Sequence, residues 1–68
     1  MEDSRIYHLL GHHRDGKPFS FKMDLWKKRC TEEEISELLE YGYIEYVKTD
    51  DPYDIRYRVS QKGKVFLK

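Results

Sequence analysis

The feature that most constrains this chain is a change of hydrophobic period at Gly42, from three-to-four residues before it to two residues after it. Upstream, Thr31-Glu32-Glu33-Glu34 has the form of a capping box: the threonine hydroxyl accepts from the Glu34 N–H, and the Glu34 carboxylate reaches back to the start of the helix. Acids crowd that first turn, where they suit the positive end of the helix dipole. Ile35, Leu38 and Leu39 then form an apolar stripe at i, i+3 and i+4, which leaves Glu33, Ser36, Glu37 and Glu40 in water. Gly42 stops the helix by taking the left-handed C′ conformation at little steric cost. Beyond it, residues 43–48 and 54–59 are rich in β-branched and aromatic side chains, with Asp50-Asp51-Pro52 between them as turn chemistry. The pattern predicts a hairpin with Ile55, Tyr57 and Val59 on its helix-facing side and Arg56, Arg58 and Ser60 on the other. Ser60 is placed to cap a short closing helix over residues 61–67, whose Val65 and Phe66 are expected in the core.

The first half is helical by the same logic. Asp3 or Ser4 is the expected cap of a helix carrying Ile6, Leu9, Leu10 and His13 on one stripe and ending at Gly16. Lys17-Pro18 excludes a continuation, because the residue before proline is pushed toward extended conformations. Phe19-Ser20-Phe21 is then either a short extended piece or the entry to a second helix. Residues 23–29 read as that helix, with Ser20 as its cap and Lys27, Lys28 and Arg29 in its last turn, and Cys30-Thr31 turns into the third helix.

Helix, helix, turn, helix, hairpin, closing helix: this order resembles the winged helix-turn-helix superfamily over nearly the whole chain. Three stretches carry the resemblance. Phe19-Ser20-Phe21-Lys22-Met23-Asp24-Leu25 followed by Thr31-Glu32-Glu33-Glu34-Ile35 is similar to the second helix, turn and third helix of that fold. Leu38-Leu39-Glu40-Tyr41-Gly42-Tyr43-Ile44-Glu45 is similar to the exit from its third helix, and Tyr57-Arg58-Val59-Ser60-Gln61-Lys62-Gly63 to the strand after its wing. The resemblance implies an α+β, winged-helix-like fold, with three helices plus a β-hairpin wing and a short C-terminal helix, in one domain spanning residues 1–68. It also implies a small protein of transcriptional-regulator type.

Length and composition agree with one domain. A chain of 68 residues lies near the lower limit for a self-supporting core, where roughly 60% of the unfolded surface is buried. One cysteine, Cys30, rules out an intramolecular disulfide and fits a reducing compartment. The chain shows no membrane-spanning apolar run and no secretory leader, so the expectation is a cytoplasmic protein that does not bind membranes.

Net charge is zero, yet the charges are segregated. Residues 1–30 hold seven Lys/Arg and four Asp/Glu, residues 31–54 one and nine, and residues 55–68 five and none, giving +3, −8 and +5. The first expectation is that the acidic helix is balanced by its basic neighbours within the fold; the sharper one is a basic wing facing a polyanion. The expected function is non-enzymatic binding, first of double-stranded DNA through a basic wing and its flanks. The candidate phosphate contacts are Lys48, Arg56 and Arg58 on the ribbon, Lys62 and Lys64 after it, and Lys22, Lys27, Lys28 and Arg29 around the second helix. The alternative is a protein-interaction module that uses Glu33, Glu37 and Glu40 against a partner with a basic surface. Those carboxylates stand where a major-groove reader would offer Arg, Lys, Asn or Gln.

Other constellations point to structure. His8 and His12 share a helix face at i, i+4, but two imidazoles fall short of the three or four ligands of a zinc site, and neither a metal nor another cofactor is expected. His13 belongs to the edge of the core, and Cys30 is read as an inert turn residue. No nucleotide-binding loop or nucleophile–base pair is present, so no catalytic residue is assigned. Phe19, Phe21, Trp26, Tyr43, Tyr57 and Phe66 are expected mainly on inward faces, with Tyr46 and Tyr53 exposed.

Overall fold

The computed structural model describes all 68 residues. It is a small α+β domain with the order α1 (Asp3–Gly11), α2 (Lys22–Trp26), α3 (Glu32–Tyr41), β1 (Ile44–Val47), β2 (Arg56–Val59) and α4 (Gln61–Phe66). No helix is long and apolar enough to cross a membrane.

The α3 helix forms as its sequence dictates. The Thr31 hydroxyl accepts from the Glu34 N–H at 3.1 Å, and Glu34 Oε1 accepts from the Thr31 N–H at 3.0 Å, so both arms of the capping box are made. Gly42 ends the helix at φ 79°. The chain then pairs β1 with β2 antiparallel, Ile44 opposite Val59 and Tyr46 opposite Tyr57. On the far side of β2, Phe19 and Tyr57 exchange both backbone hydrogen bonds at 2.8 Å. The segment before α2 is therefore the extended alternative, a one-residue strand that ties the first half of the chain to the ribbon.

One core results. Ile6 and Leu10 from α1, Phe19 and Phe21, Cys30, Ile35 and Leu38 from α3, Ile44, Val59 and Leu67 are all buried and form a single cluster. The closing helix seats on it because Ser60 accepts from the Gly63 N–H at 3.1 Å and donates its own N–H to the Tyr43 carbonyl at 2.9 Å.

Several expectations need correction. The first helix ends at Gly11 rather than Gly16, and Arg14 Nε folds back to donate to the Gly11 carbonyl at 3.2 Å. Its N-cap is Glu2, so Asp3 and Ser4 lie inside the helix and neither caps it. The second helix stops at Trp26 because Lys28 takes a left-handed φ of 58°, and the Arg29 N–H returns to the Asp24 carbonyl at 2.8 Å. That six-to-one bond is the Schellman ending, here with a lysine in the glycine position. The N-cap of the second helix is Phe21 and not the expected Ser20, whose hydroxyl accepts from the Lys22 N–H at 3.1 Å from one residue further out.

Trp26, expected inside, is 76% exposed: with α2 cut to five residues, only Leu25 and the preceding Phe21 pack inward. Ile55 is 55% exposed because β2 begins at Arg56, leaving Ile55 in the loop. Val65 is also exposed, and Leu67 takes its place in the core.

Candidate interaction surfaces

Three surfaces hold the residues singled out by sequence. The first is the ribbon. The Arg56 guanidinium Nε lies 2.8 Å from Asp54 Oδ1, and Arg58 Nε lies 3.0 Å from Glu45 Oε1 on the opposite strand. Residues 44–59 hold three cations, Lys48, Arg56 and Arg58, against four carboxylates, Glu45, Asp50, Asp51 and Asp54. The folded hairpin is thus net −1, and both of its arginines are engaged within it. Exposed pairs of this kind add little stability. Their consequence is electrostatic, since each carboxylate cancels the field of its neighbour.

Of the tail cations, Lys62 is engaged within the fold, while Lys64 has no ion-pair or side-chain hydrogen-bond partner. Lys62 Nζ donates to the Tyr41 carbonyl at 2.6 Å and sits 5.2 Å from the centre of the Tyr43 ring. The Lys64 ammonium lies over Gly16, against the space a side chain there would fill.

The second surface is the outer side of α3. Glu33, Glu37 and Glu40 repeat at i, i+4 and i+7, so they share one stripe. Glu33 and Glu40 are exposed and Glu37, expected in water, is half-buried; none has a cation within ion-pairing distance. Their neighbour Glu34 behaves differently. It receives Arg5 Nε at 2.7 Å and Arg5 Nη2 at 3.1 Å, and the same Nη2 donates to the Arg29 carbonyl at 2.6 Å. The Arg5 hydrogen bond, helped by Thr31, holds the Glu34 carboxyl below its ordinary range, and Glu34 in turn raises Arg5. Sequence reasoning assigned Glu34 only its cap. Nothing in local spacing announces a partner 29 positions away.

The third surface is α2 and its turn. Lys22, Lys27, Lys28 and Arg29 are all exposed, and none has a carboxylate partner. Sequence reasoning grouped these four with the ribbon cations; the fold divides the set into engaged and free members. Between α2 and the ribbon loop runs an open groove of about 490 Å³, floored by Phe21, Leu25, Ile35 and Tyr57 and edged by Tyr53 and Ile55. Lys22 lies on one rim, and Asp51 and Asp54 on the other.

The histidines gather in a smaller cavity of about 250 Å³ with Asp24 and Arg29. The His8 and His12 rings meet edge-on with centroids 6.1 Å apart. His13 stacks on Phe19 at 3.8 Å between centroids, and burial pushes it below an ordinary histidine. No three His, Cys, Asp or Glu side chains converge in a metal-ligating group. The Cys30 thiol is buried and pushed up, first by desolvation and then by Asp24 and Glu34, so the nearby cations do not activate it.

Compared with family models, curated proteins and solved structures, the chain matches none of them.

Proposed function

We propose that this chain is a non-enzymatic winged-helix module that binds a basic protein surface through the outer stripe of α3. The order of elements supports the winged-helix reading, as does the Phe19–Tyr57 bridge that ties the segment before α2 to the hairpin. The functional reading is carried by one observation: Glu33, Glu37 and Glu40 stay unpaired in a chain with 13 Lys/Arg. Intramolecular balance would have brought cations to that stripe. Instead the ribbon arginines turn to Asp54 and Glu45, and Arg5 turns to Glu34.

Duplex DNA read by a basic wing has less support. A net negative ribbon beside an acidic α3 offers phosphates more repulsion than counterion release. Electrostatic complementarity to a cationic protein would instead speed encounter and fix orientation.

The experiment is affinity capture from a nuclease-treated extract, comparing the wild-type chain with E33Q/E37Q/E40Q and with R56A/R58A. A basic protein held by the wild type, lost with the glutamate variant and kept by the arginine variant, supports the reading. Capture indifferent to the glutamates, or lost with the arginines, refutes it.

A further inference from the structure

Trp26 is the only tryptophan of the chain and the most exposed of its large hydrophobic side chains after Tyr53. It stands on α2 with Met23, which is also exposed, one turn behind it, and Lys22 at i−4. Lys27, Lys28 and Arg29 follow directly. The exposed indole has no role in the core, and none of the four cations beside it has a carboxylate within ion-pairing distance, although Asp24 stands on α2 among them.

Lys28 adds a second observation. Its φ of 58° is a conformation that glycine adopts freely and L side chains resist. Glycine there would make the turn with less strain, so the lysine is held at a conformational cost and its ammonium is what glycine would lose. Backbone strain at an exposed charge is a pointer to use.

We propose that α2 and its turn form a binding platform for single-stranded nucleic acid, with Trp26 stacking on a base and Lys22, Lys27, Lys28 and Arg29 contacting phosphates. Charge complementarity selects a polyanion, and the exposed indole selects one whose repeating unit carries a flat π-face. In a duplex the bases are stacked inside and unavailable to Trp26. This surface is distinct from the α3 stripe, so a strand on α2 and a basic protein on α3 are compatible.

The sole tryptophan reports directly on its own site. Titrating the full chain with a single-stranded deoxythymidine decamer at about 50 mM salt, where screening is weak, should quench Trp26 fluorescence in a saturable way. The apparent affinity should fall with salt at a log–log slope near −0.7 for each phosphate contacted. W26A, followed by anisotropy of a labelled decamer, should bind about 5- to 150-fold more weakly, the range for loss of one stacked base.

K28G separates function from folding: it should raise the thermal midpoint by relieving the left-handed lysine while weakening decamer binding. Equal affinity for a blunt duplex of the same length, equal quenching by polyglutamate, or W26A binding as well as wild type would overturn the platform. Polyglutamate acting alone would mark the surface as one for an acidic protein. K28G binding at wild-type strength would remove Lys28 from the contact set and refute the proposal as stated.

Discussion

Arg58 and Glu45 are cross-strand partners whose side chains meet at 3.0 Å, so the arginine that the sequence offers to a polyanion is answered by a carboxylate on the adjacent strand. Asp54 does the same for Arg56 at 2.8 Å. The hairpin therefore encodes its own counter-charge. Removing it should expose a latent basic ribbon: in E45Q/D54N the hairpin changes from −1 to +1 and gains two free guanidinium groups. Duplex binding should appear or strengthen, and its log–log salt slope should steepen by up to about 2, near 0.9 for each new phosphate contact. Titration of both proteins with the same duplex at two salt concentrations checks this. An unchanged slope would show that the pairs do not mask the arginines.

A Cβ added at Gly63 would overlap the Tyr43 carbonyl oxygen and press on Val59 Cγ1. That carbonyl also accepts from Ser60, so it cannot turn away without breaking the joint between the ribbon and α4. G63A should destabilise the domain by about 1–3 kcal/mol through overpacking, despite alanine's better helix propensity. A urea midpoint equal to or above wild type would contradict the seating of α4 described above.

His13 makes stability depend on pH. Burial lowers its pKa; His12 adds to that, while Asp24 and Asp15 oppose it. A histidine depressed in the folded state contributes stability that is fully present above the ordinary value of about 6.5 and is lost as pH falls through that value toward the folded one. Glu34, also depressed, loses its contribution only at still lower pH, below the ordinary carboxylate range. The urea midpoint should therefore fall between pH 7.5 and pH 5. H13F, which keeps a ring against Phe19, should flatten that fall. An identical fall in the variant would assign the pH dependence elsewhere.

How far the sequence revealed the structure depends on the range of the forces involved. The α3 capping box, the Gly42 ending and the alternation at Tyr57 and Val59 were readable because each is written within a few residues. Trp26 departs from the inward place its helical period predicts because the chain turns left-handed at Lys28, where no residue type announces it. Ile55 lies one residue outside the strand that its alternation predicts, enough to set it at the groove edge and not on the ribbon. The charge pattern was legible as composition and not as pairing. Dividing the chain after Asp54 separated Arg56 from its own partner and made the wing look basic.

The central claim is that the α3 carboxylate stripe is unpaired while both ribbon arginines are masked by carboxylates of the hairpin. It is tested most directly by amide chemical shifts of the labelled chain, recorded with a mixed-sequence duplex and then with a lysine-rich helical peptide at about 50 mM salt, where electrostatic contacts are weakly screened. The account predicts that the peptide moves Glu33, Glu37 and Glu40 while the duplex leaves Lys48, Arg56 and Arg58 in place. Saturable shifts at those three ribbon residues with duplex, and none on α3 with the peptide, would contradict it.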